Sequence, residues 1–331
     1  MTTNSVYALG NALVDYEIEV DEAFLENAGI EKGVMTLVEE QQQQETLQRA
    51  SGNQHSRTCG GSAANTIIGV AQLGGKAHYS CKVADDETGE FFTAALIELG
   101  VSSNVGDSKA PGNSGKCIVM VTPDADRTMH TCLGISAELS RDEVDEQALS
   151  ESQYLYIEGY LVTSDSARDA AIYARELAEK HHVKTAFTLS DPGMASFFAD
   201  GMKEMLGDGV DLLFCNEEEA LTFSGTETLD EAIPVLQQYA KQLAITRGAK
   251  GAVLFDGTNT IAIETPQVTP VDTNGAGDLF AGGFLYGITH GMDFKAAGEL
   301  ACHLSSKLVT QFGARLRAEQ AQEIFTELTS S

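Results

Sequence analysis

Short apolar runs alternate with longer amphipathic segments along most of the chain, and this alternation predicts an α/β fold. The short runs have the composition of buried strands, and the longer segments repeat apolar residues at helical spacing. Strands that alternate with helices form a mostly parallel sheet covered on both faces, a three-layer α/β/α arrangement. The predicted strands are residues 6–9, 77–83, 154–157, 183–189, 210–214, 243–246 and 252–255, and the predicted helices are residues 62–73, 89–99, 164–180, 216–223, 230–239, 275–290 and 295–312.

Two segments break this alternation, and neither leaves room for a crossover helix. We expect them to form a small β-rich lid inserted into one α/β domain over residues 1–331, with edge strands of the main sheet as the alternative. The lid is formed by about residues 13–38 and 112–136. Its predicted strands are residues 13–20, 34–38, 117–122 and 127–133, the last two joined by the turn Pro123-Asp124-Ala125-Asp126.

The composition supports a large core and excludes several partners. Apolar residues make up 43% of the 331 residues, and the formal net charge is −28. A surface this acidic repels nucleic-acid backbones and anionic membranes. It also repels free nucleotides, so a nucleotide site needs local positive potential from backbone dipoles or Mg²⁺. The polar run 41–44 is expected to be a solvated helix face.

Cysteine usage and the N-terminal sequence indicate a cytoplasmic protein. The six cysteines are scattered without a C-x-x-C pair, which is typical of small core residues in a reducing compartment. The N-terminus lacks a basic region followed by a long apolar run, so no signal peptide is expected. No window approaches 18 uninterrupted apolar residues, so we expect no membrane span.

The most informative motif is the turn Gly275-Ala276-Gly277, followed by Asp278 and an apolar run of helical length. Such a turn directs backbone N–H groups to one point at a helix N-terminus, which makes an anion site. A carboxylate beside an anion site is electrostatically unfavourable, which suggests that it has a function. The function that fits is to deprotonate a hydroxyl that attacks phosphorus. A tight packing turn is the alternative, because turn glycines are common. Gly282 and Gly283 in the helix favour function, since helices tolerate adjacent glycines where something approaches the backbone.

Four further clusters follow predicted strands or open helices, and each also has a purely structural explanation. Gly60-Gly61-Ser62 with Asn65 opens a helix, and Ser62 is a candidate N-cap. Asn11 and Asp15 follow the first strand and could bind vicinal hydroxyls, although a solvated turn also fits. Asn216 and Glu219 share a helix face and could position Mg²⁺ near phosphates. The fourth cluster is the turn from Thr246 through Gly248 to Gly251. In addition, His303 and Ser306 share the face of a later helix.

Together these motifs resemble the PfkB-type, ribokinase-like family of carbohydrate and nucleoside kinases over nearly the whole chain. The segment from Asp272 to Asp278 looks like that family's second signature, and Gly60-Gly61 with Asn65 looks like its first. Asn216 with Glu219 matches the family's N-x-x-E. The fit is closest to the adenosine kinase-like branch, on Asn11 with Asp15, residues 210–216, the NGAGD form of the turn, and His303 followed by Leu304-Ser305-Ser306.

The resemblance implies a kinase that transfers a phosphoryl group from ATP, with Mg²⁺, to the 5′-type primary hydroxyl of a nucleoside, adenosine before other nucleosides. A sugar acceptor of the ribose or fructose type is the alternative within the family. Monovalent-cation (K⁺) dependence is common in the family, and no residue here predicts it; the protein would be a monomer or a homodimer. The resemblance implies that the catalytic residues are Asp278, Gly275, Ala276 and Gly277. It implies that the acceptor is bound by Asn11, Asp15, Gly60, Gly61, Asn65, Tyr160 and Arg127, with Leu133 and Cys117 as pocket lining. It implies that ATP is bound by Asn216, Glu219, Thr246, Gly248, Thr273, His303 and Ser306, with Glu219 contacting Mg²⁺ through water.

Two other classes of function compete with a kinase. A dinucleotide-dependent oxidoreductase needs G-x-G-x-x-G after the first strand, but Phe280 stands where the third glycine would fall. A Walker A loop is also missing, because neither Gly75-Lys76 nor Gly115-Lys116 has the required flanking residues. A non-catalytic nucleoside sensor is the second competitor, and the intact Asp278 argues against it.

Overall fold

Two β-sheets organise the chain, as a computed structural model describes it for residues 4–50, 54–106, 109–124 and 126–330. The strands are β1 (Asn4–Leu9), β2 (Leu13–Glu19), β3 (Met35–Leu37), β4 (Gln54–Gly60), β5 (Ala77–Ser80), β6 (Val101–Ser102), β7 (Gly115–Val121), β8 (Arg127–Cys132), β9 (Ser152–Glu158), β10 (Lys184–Thr188), β11 (Val210–Asn216), β12 (Ala240–Thr246), β13 (Ala252–Phe255) and β14 (Thr260–Ile263). The helices are α1 (Glu22–Ala28), α2 (Glu40–Arg49), α3 (Ser62–Gln72), α4 (Glu87–Glu98), α5 (Glu146–Ser150), α6 (Asp165–Lys180), α7 (Pro192–Phe197), α8 (Ala199–Leu206), α9 (Glu217–Ser224), α10 (Leu229–Leu236), α11 (Ala276–Thr289), α12 (Phe294–Leu308) and α13 (Ala318–Thr329).

The large sheet has the order β14-β13-β12-β11-β10-β9-β1-β5-β6. From β6 to β12 all neighbouring strands are parallel, and only β13 and β14 pair antiparallel. One apolar cluster lies on the α3 and α11 side of this sheet, and a second lies on the α6 side. The predicted three-layer α/β/α fold with a mostly parallel sheet is confirmed.

The small sheet has the order β3-β8-β7-β2-β4 and is separate from the large one, so its strands are not edge strands of the main sheet. The two predicted lid segments supply four of its strands. Its fifth strand, β4, is polar in sequence and was not predicted. The turn residue Ala125 lies outside the described residues.

The sequence prediction fails at several element boundaries. Helix α1 lies between β2 and β3, contrary to the expectation that no helix fits there; Asp21 caps its first turn, and Gly29 ends it in a left-handed conformation. The predicted helices 230–239 and 295–312 end early, at Leu236 and Leu308. Strands β6 and β14 and several short helices were also missed.

The polar segment 41–44 does form a helix, α2, but one of its glutamines is not solvated. Gln43 is buried, and its Nε2 donates to the carbonyl oxygens of Lys116 and His130 on the back of the small sheet. This bond ties α2 to β7 and β8, so the expectation of a wholly solvated face is wrong.

The glycine pair in α11 serves helix packing. A Cβ at Gly282 would lie 2.5 Å from the carbonyl oxygen of Thr66 in α3, and one at Gly283 would lie 2.5 Å from Leu304 in α12. The close approach inferred from the sequence is therefore made by two neighbouring helices. Their contact fixes the start of α11 against α3.

No helix among the described residues has the length and apolar character needed to cross a bilayer.

Candidate active site

A cavity of about 490 Å³ lies between the small sheet and the carboxyl ends of the large sheet's strands. This volume is in the range of small-molecule sites, and the strand ends are where parallel sheets bind ligands. Predicted residues from β2, α3, α11 and α12 all reach it. The predicted site residues that line the cavity are Asn11, Asp15, Gly61, Asn65, Arg127, Tyr160, Asn216, Glu219, Thr246, Gly248, Thr273, Gly275, Ala276, Gly277, Asp278 and Ser306.

Two predicted residues do not line the cavity. Gly60 ends β4, and a Cβ there would lie 2.0 Å from the Oδ2 atom of Asp15, so this glycine makes room for that carboxylate. His303 turns back along its own helix, where its Nδ1 lies 2.8 Å from the carbonyl oxygen of Glu299. The structure thus gives Gly60 a role in packing and pairs the His303 ring with its own helix.

The glycine turn forms an open helix N-terminus. Gly275 takes a left-handed conformation (φ 72°) as the N-cap of α11, and no side chain caps the helix. A Cβ at Gly275 would strike the carbonyl oxygen of Ala314 at 2.4 Å, whereas the space beside Gly277 is open. Uncapped first-turn N–H groups carry partial positive charge, so this turn can hold an anion.

Asp278 lies in the first turn of α11, with both carboxylate oxygens hydrogen-bonded to α3. The Ser62 hydroxyl donates to Oδ1 at 2.7 Å, and the Asn65 amide donates to Oδ2 at 3.1 Å. Burial raises the pKa of Asp278, and these two donors together with Arg127 oppose the rise. Ser62 is not the N-cap expected from the sequence, because Gly61 holds that position (φ 97°).

Glu158, at the end of β9, was missed in the sequence and supports this arrangement. One of its oxygens accepts from the Asn11 N–H at 2.7 Å and the other from the Ala63 N–H at 2.8 Å. Burial raises its pKa to about 7 despite those bonds. Glu158 thus joins the turn after β1 to the start of α3. Its position directly after a predicted buried strand is a signal that could have found it.

Asp15 projects from β2 into the cavity. Its side chain is buried, and burial raises its pKa to about 7, with the nearby charges of Glu17 and Asp278 adding to the rise and Arg315 opposing it. On the same side of the cavity the buried Oδ1 of Asn65 has no hydrogen-bond partner. A carboxylate and a free amide oxygen can accept hydrogen bonds from neighbouring hydroxyls of a ligand.

Arg127 connects the small sheet to the glycine turn. Its Nη1 donates to the carbonyl oxygen of Thr273 at 2.5 Å. Among the described residues that line the cavity it is the only cation, facing the carboxylates of Asp15, Glu158, Glu219 and Asp278. The arginine lies where it could also contact a phosphate held by the turn.

Asn216 and Glu219 form a capping box at the start of α9. The Asn216 side chain accepts from the Glu219 N–H, and the Glu219 carboxylate accepts from the backbone and side-chain N–H groups of Asn216. Burial raises the pKa of Glu219 to about 8, with Asp191 and Asp278 adding to it. The acidic cluster therefore has a structural role, and Glu219 still reaches the cavity.

The described residues contain no group of three or more His, Cys, Asp or Glu side chains placed to hold a metal ion. Magnesium in nucleotide sites is commonly held by one or two carboxylates plus the phosphates. Glu219, which lines the cavity, fits that arrangement through an intervening water, and an all-protein metal cage does not fit.

The face of the small sheet that lines the cavity carries a patch of apolar side chains. The central strand β7 is apolar on both faces: Ile118 and Met120 pack outward with Leu25 of α1 and Leu47 of α2. The opposite side chains face the cavity, as the alternation of strand residues requires. The apolar residues on this side are Leu13, Met35, Leu37, Cys117, Val119, Met129 and Leu133, of which the sequence had suggested only Cys117 and Leu133. The polar residues Asp15, Arg127 and Thr131 of the same sheet also line the cavity.

The fold and cavity define a class of α/β proteins that bind a small molecule between a parallel sheet and a second, smaller sheet. A model of the pfkB family carbohydrate kinases matches residues 32–321. The chain is 27% identical to the adenosine kinase of Schizophyllum commune, over 97% of this chain and 99% of that protein.

Two solved structures are also similar to this one. The probable sugar kinase protein from Rhizobium etli CFN 42 is 32% identical with a TM-score of 0.93, covering 99% of this chain and 100% of that one. The adenosine kinase from Sinorhizobium meliloti is 34% identical with a TM-score of 0.91, covering 97% and 98%. The chain belongs to the pfkB family of carbohydrate kinases, in its adenosine kinase-like branch, and is a kinase.

Proposed function

We propose that this kinase transfers the γ-phosphoryl group of ATP to the 5′-type primary hydroxyl of a nucleoside, with adenosine as the first candidate. The observation that carries this proposal is a cavity lined both by the apolar patch of the small sheet, including Val119 and Met129, and by the polar residues Asn11, Asp15 and Asn65. A nucleoside presents a flat, largely apolar ring at one end and vicinal hydroxyls at the other. A free sugar has hydroxyls on all sides and would leave several of them against Met129 and Val119, at a cost in unmade hydrogen bonds.

The reaction proposed is ATP + R–CH₂OH → R–CH₂O–PO₃²⁻ + ADP + H⁺. Asp278 takes the proton of the hydroxyl as its oxygen bonds to the γ-phosphorus and the bond to the ADP oxygen breaks. The N–H groups at the start of α11 and the Arg127 guanidinium stabilise negative charge on the phosphoryl oxygens. The raised pKa of Asp278 suits this task, because it makes the carboxylate a stronger base.

In this proposal the nucleotide occupies the part of the cavity beyond the glycine turn. That part is lined by residues from the turn after β12, from α12 and from the segment between β14 and α11, including Thr246, Gly248, Pro266 and Ser306. Magnesium, when bound with the nucleotide, would neutralise phosphate charge, and Glu219 is the carboxylate that would hold its water ligands.

An ADP-release assay with a panel of acceptors tests the proposal. Adenosine and other nucleosides should be phosphorylated with kcat/KM values well above those for ribose and fructose. The variant Met129→Thr should raise KM for nucleosides while leaving KM for ribose nearly unchanged, because the base of a nucleoside would contact the apolar patch of the small sheet and a free ribose would not. Faster turnover of a free sugar would favour the sugar kinase alternative, and tight nucleoside binding without ADP release would favour the sensor.

A further inference from the structure

The hydroxyl of Ser62 has no part in capping its helix. Ser62 is the first residue of α3, where Gly61 is the N-cap and Glu158 receives the Ala63 N–H. Its Oγ instead donates to the Oδ1 atom of Asp278, in another helix, at 2.7 Å. A serine at the N-cap serves its own helix, but Ser62 stands one residue beyond that position, so its hydroxyl is available to Asp278.

Ser62 and Asn65 hold Asp278 from one helix face. They are three residues apart on α3, so their side chains lie side by side, and each donates to a different oxygen of the carboxylate. Two donors on two oxygens fix the plane of the carboxylate. Because Gly282 lets α11 lie against α3, the distance between donors and carboxylate is set by rigid packing.

Apart from the two α3 donors, the surroundings of Asp278 mostly disfavour its charge. Among the described residues, Arg127 on β8 of the small sheet is the charged group that lowers the pKa of Asp278. Desolvation raises the pKa of Asp278, and the two α3 donors are the main forces that lower it. The groups whose own ionisation is made harder by an ionised Asp278 are Asp15 on β2, Tyr79 on β5, Tyr156 and Glu158 on β9, Tyr160 in the following turn, and Glu219 on α9.

We propose that Ser62 is a positioning residue for the catalytic base, whose hydroxyl keeps Asp278 ionised and turned toward the acceptor. The proposal rests on the proposed role of Asp278. A hydroxyl can donate to a carboxylate and accept from a carboxylic acid by rotating, so the same contact serves Asp278 before and after it takes the proton. No other atom needs to move.

A series at position 62 tests the proposal through the pH dependence of kcat/KM with the best acceptor. Ser62→Ala removes the donor, Ser62→Cys leaves a weak donor, and Ser62→Thr keeps the hydroxyl. A hydrogen bond to a charged group corresponds to about one pKa unit or more. For Ser62→Ala we expect the pH at which kcat/KM falls on the acid side to rise by about one unit. At lower pH its kcat/KM should be roughly tenfold below that of the wild type, and at high pH the two should converge. Ser62→Cys should lie between, and Ser62→Thr should restore the wild-type limb.

Two controls separate the possible failures. Ser166→Ala removes another first-turn helix serine, exposed on α6 and outside the cavity, and should leave the acid limb in place. Asp278→Asn tests the base itself: if it keeps near-wild-type activity, the proposed role of Asp278 is wrong, and the role of Ser62 that rests on it is wrong too. If Asp278→Asn is inactive but the Ser62→Ala profile keeps the wild-type acid limb, or falls equally at every pH, the role of Ser62 is overturned while that of Asp278 stands.

Discussion

Replacing Asp278 by asparagine should separate catalysis from stability. The new amide oxygen can still accept from Ser62, and the new NH₂ group can donate to Asn65, whose Oδ1 has no partner and can face it after a flip of the amide. The hydrogen bonds to Asp278 are therefore kept. The flipped Asn65 would present its NH₂ group to a ligand hydroxyl, which can accept as well as donate, so ligand binding should persist. What disappears is the proposed base.

The loss of a general base costs about 10²–10⁴-fold in turnover, or about 3–5.5 kcal/mol of transition-state stabilisation. The stability of Asp278→Asn, in contrast to its turnover, should not fall. Asp278 is half-buried and adds to the pKa rise of Asp15, Glu158 and Glu219, so a neutral side chain removes repulsion inside the cavity. We expect a Tm equal to or above that of the wild type.

The assay combines steady-state ADP release, acceptor binding by calorimetry, and thermal unfolding. Asp200→Asn, which changes a fully exposed aspartate on α8, is the matched control and should leave all three unchanged. Near-wild-type turnover in Asp278→Asn would refute the assignment of the base. A large loss of both stability and binding would show instead that Asp278 acts mainly by holding α3 and α11 together.

Three further predictions follow from the site and the charge. Asp15→Ala should raise KM for the acceptor by roughly tenfold to a hundredfold, the scale of a hydrogen bond to a charged group, with KM for ATP nearly unchanged; equal effects on both would move the acceptor site. Because burial raises the pKa of Glu219 to about 8, the contribution of its protonated form to stability is complete below about pH 4.5 and is lost as pH rises toward 8. In Glu219→Gln the unfolding free energy, measured by urea unfolding, should therefore decline less between pH 5 and pH 8 than in the wild type. An unchanged decline would assign the pH dependence to other groups. Because the net charge is −28, the Tm should rise between about 0.05 and about 0.5 M NaCl as repulsion is screened, and a falling Tm would show that attractive ion pairs dominate.

The large sheet could be predicted from the sequence because its parallel strands are buried on both faces and appear as apolar runs. Strand β4 was missed since its sequence, QHSRTCG, carries no such run; it is held by backbone pairing with β2. Helix α13 was missed although Ala321, Ile324, Phe325 and Leu328 recur at helical spacing and pack with residues of α3 and α12. Backbone pairing, by contrast, leaves little trace in the local sequence pattern.

Candidate site residues could be predicted where a strand ends, since parallel strands end at one edge of the sheet. This rule places Asn11, Asn216 and Thr246 at the cavity. It also covers Glu158, which directly follows the predicted strand 154–157 but was not singled out from the sequence. His303 and Ser306 show the limit of sequence spacing: they are one turn apart on α12, yet only Ser306 lines the cavity. Which part of a helix face points at a ligand depends on how the helix is packed.

In the proposed reaction the small sheet has two roles. The apolar patch on its inner face would contact the acceptor, and Arg127 at the start of β8, which reaches the Thr273 carbonyl beside the glycine turn, would contact the phosphates. Four carboxylates line the cavity against this one arginine, so in its absence the phosphates would meet mainly negative charge. In this proposal, any movement of the small sheet changes two things together: the apolar contact with the acceptor and the distance of Arg127 from the phosphates. ATP hydrolysis by water would require Arg127 at the phosphates while no acceptor is bound. Because the same sheet carries Arg127 and the acceptor contact, this arrangement disfavours hydrolysis.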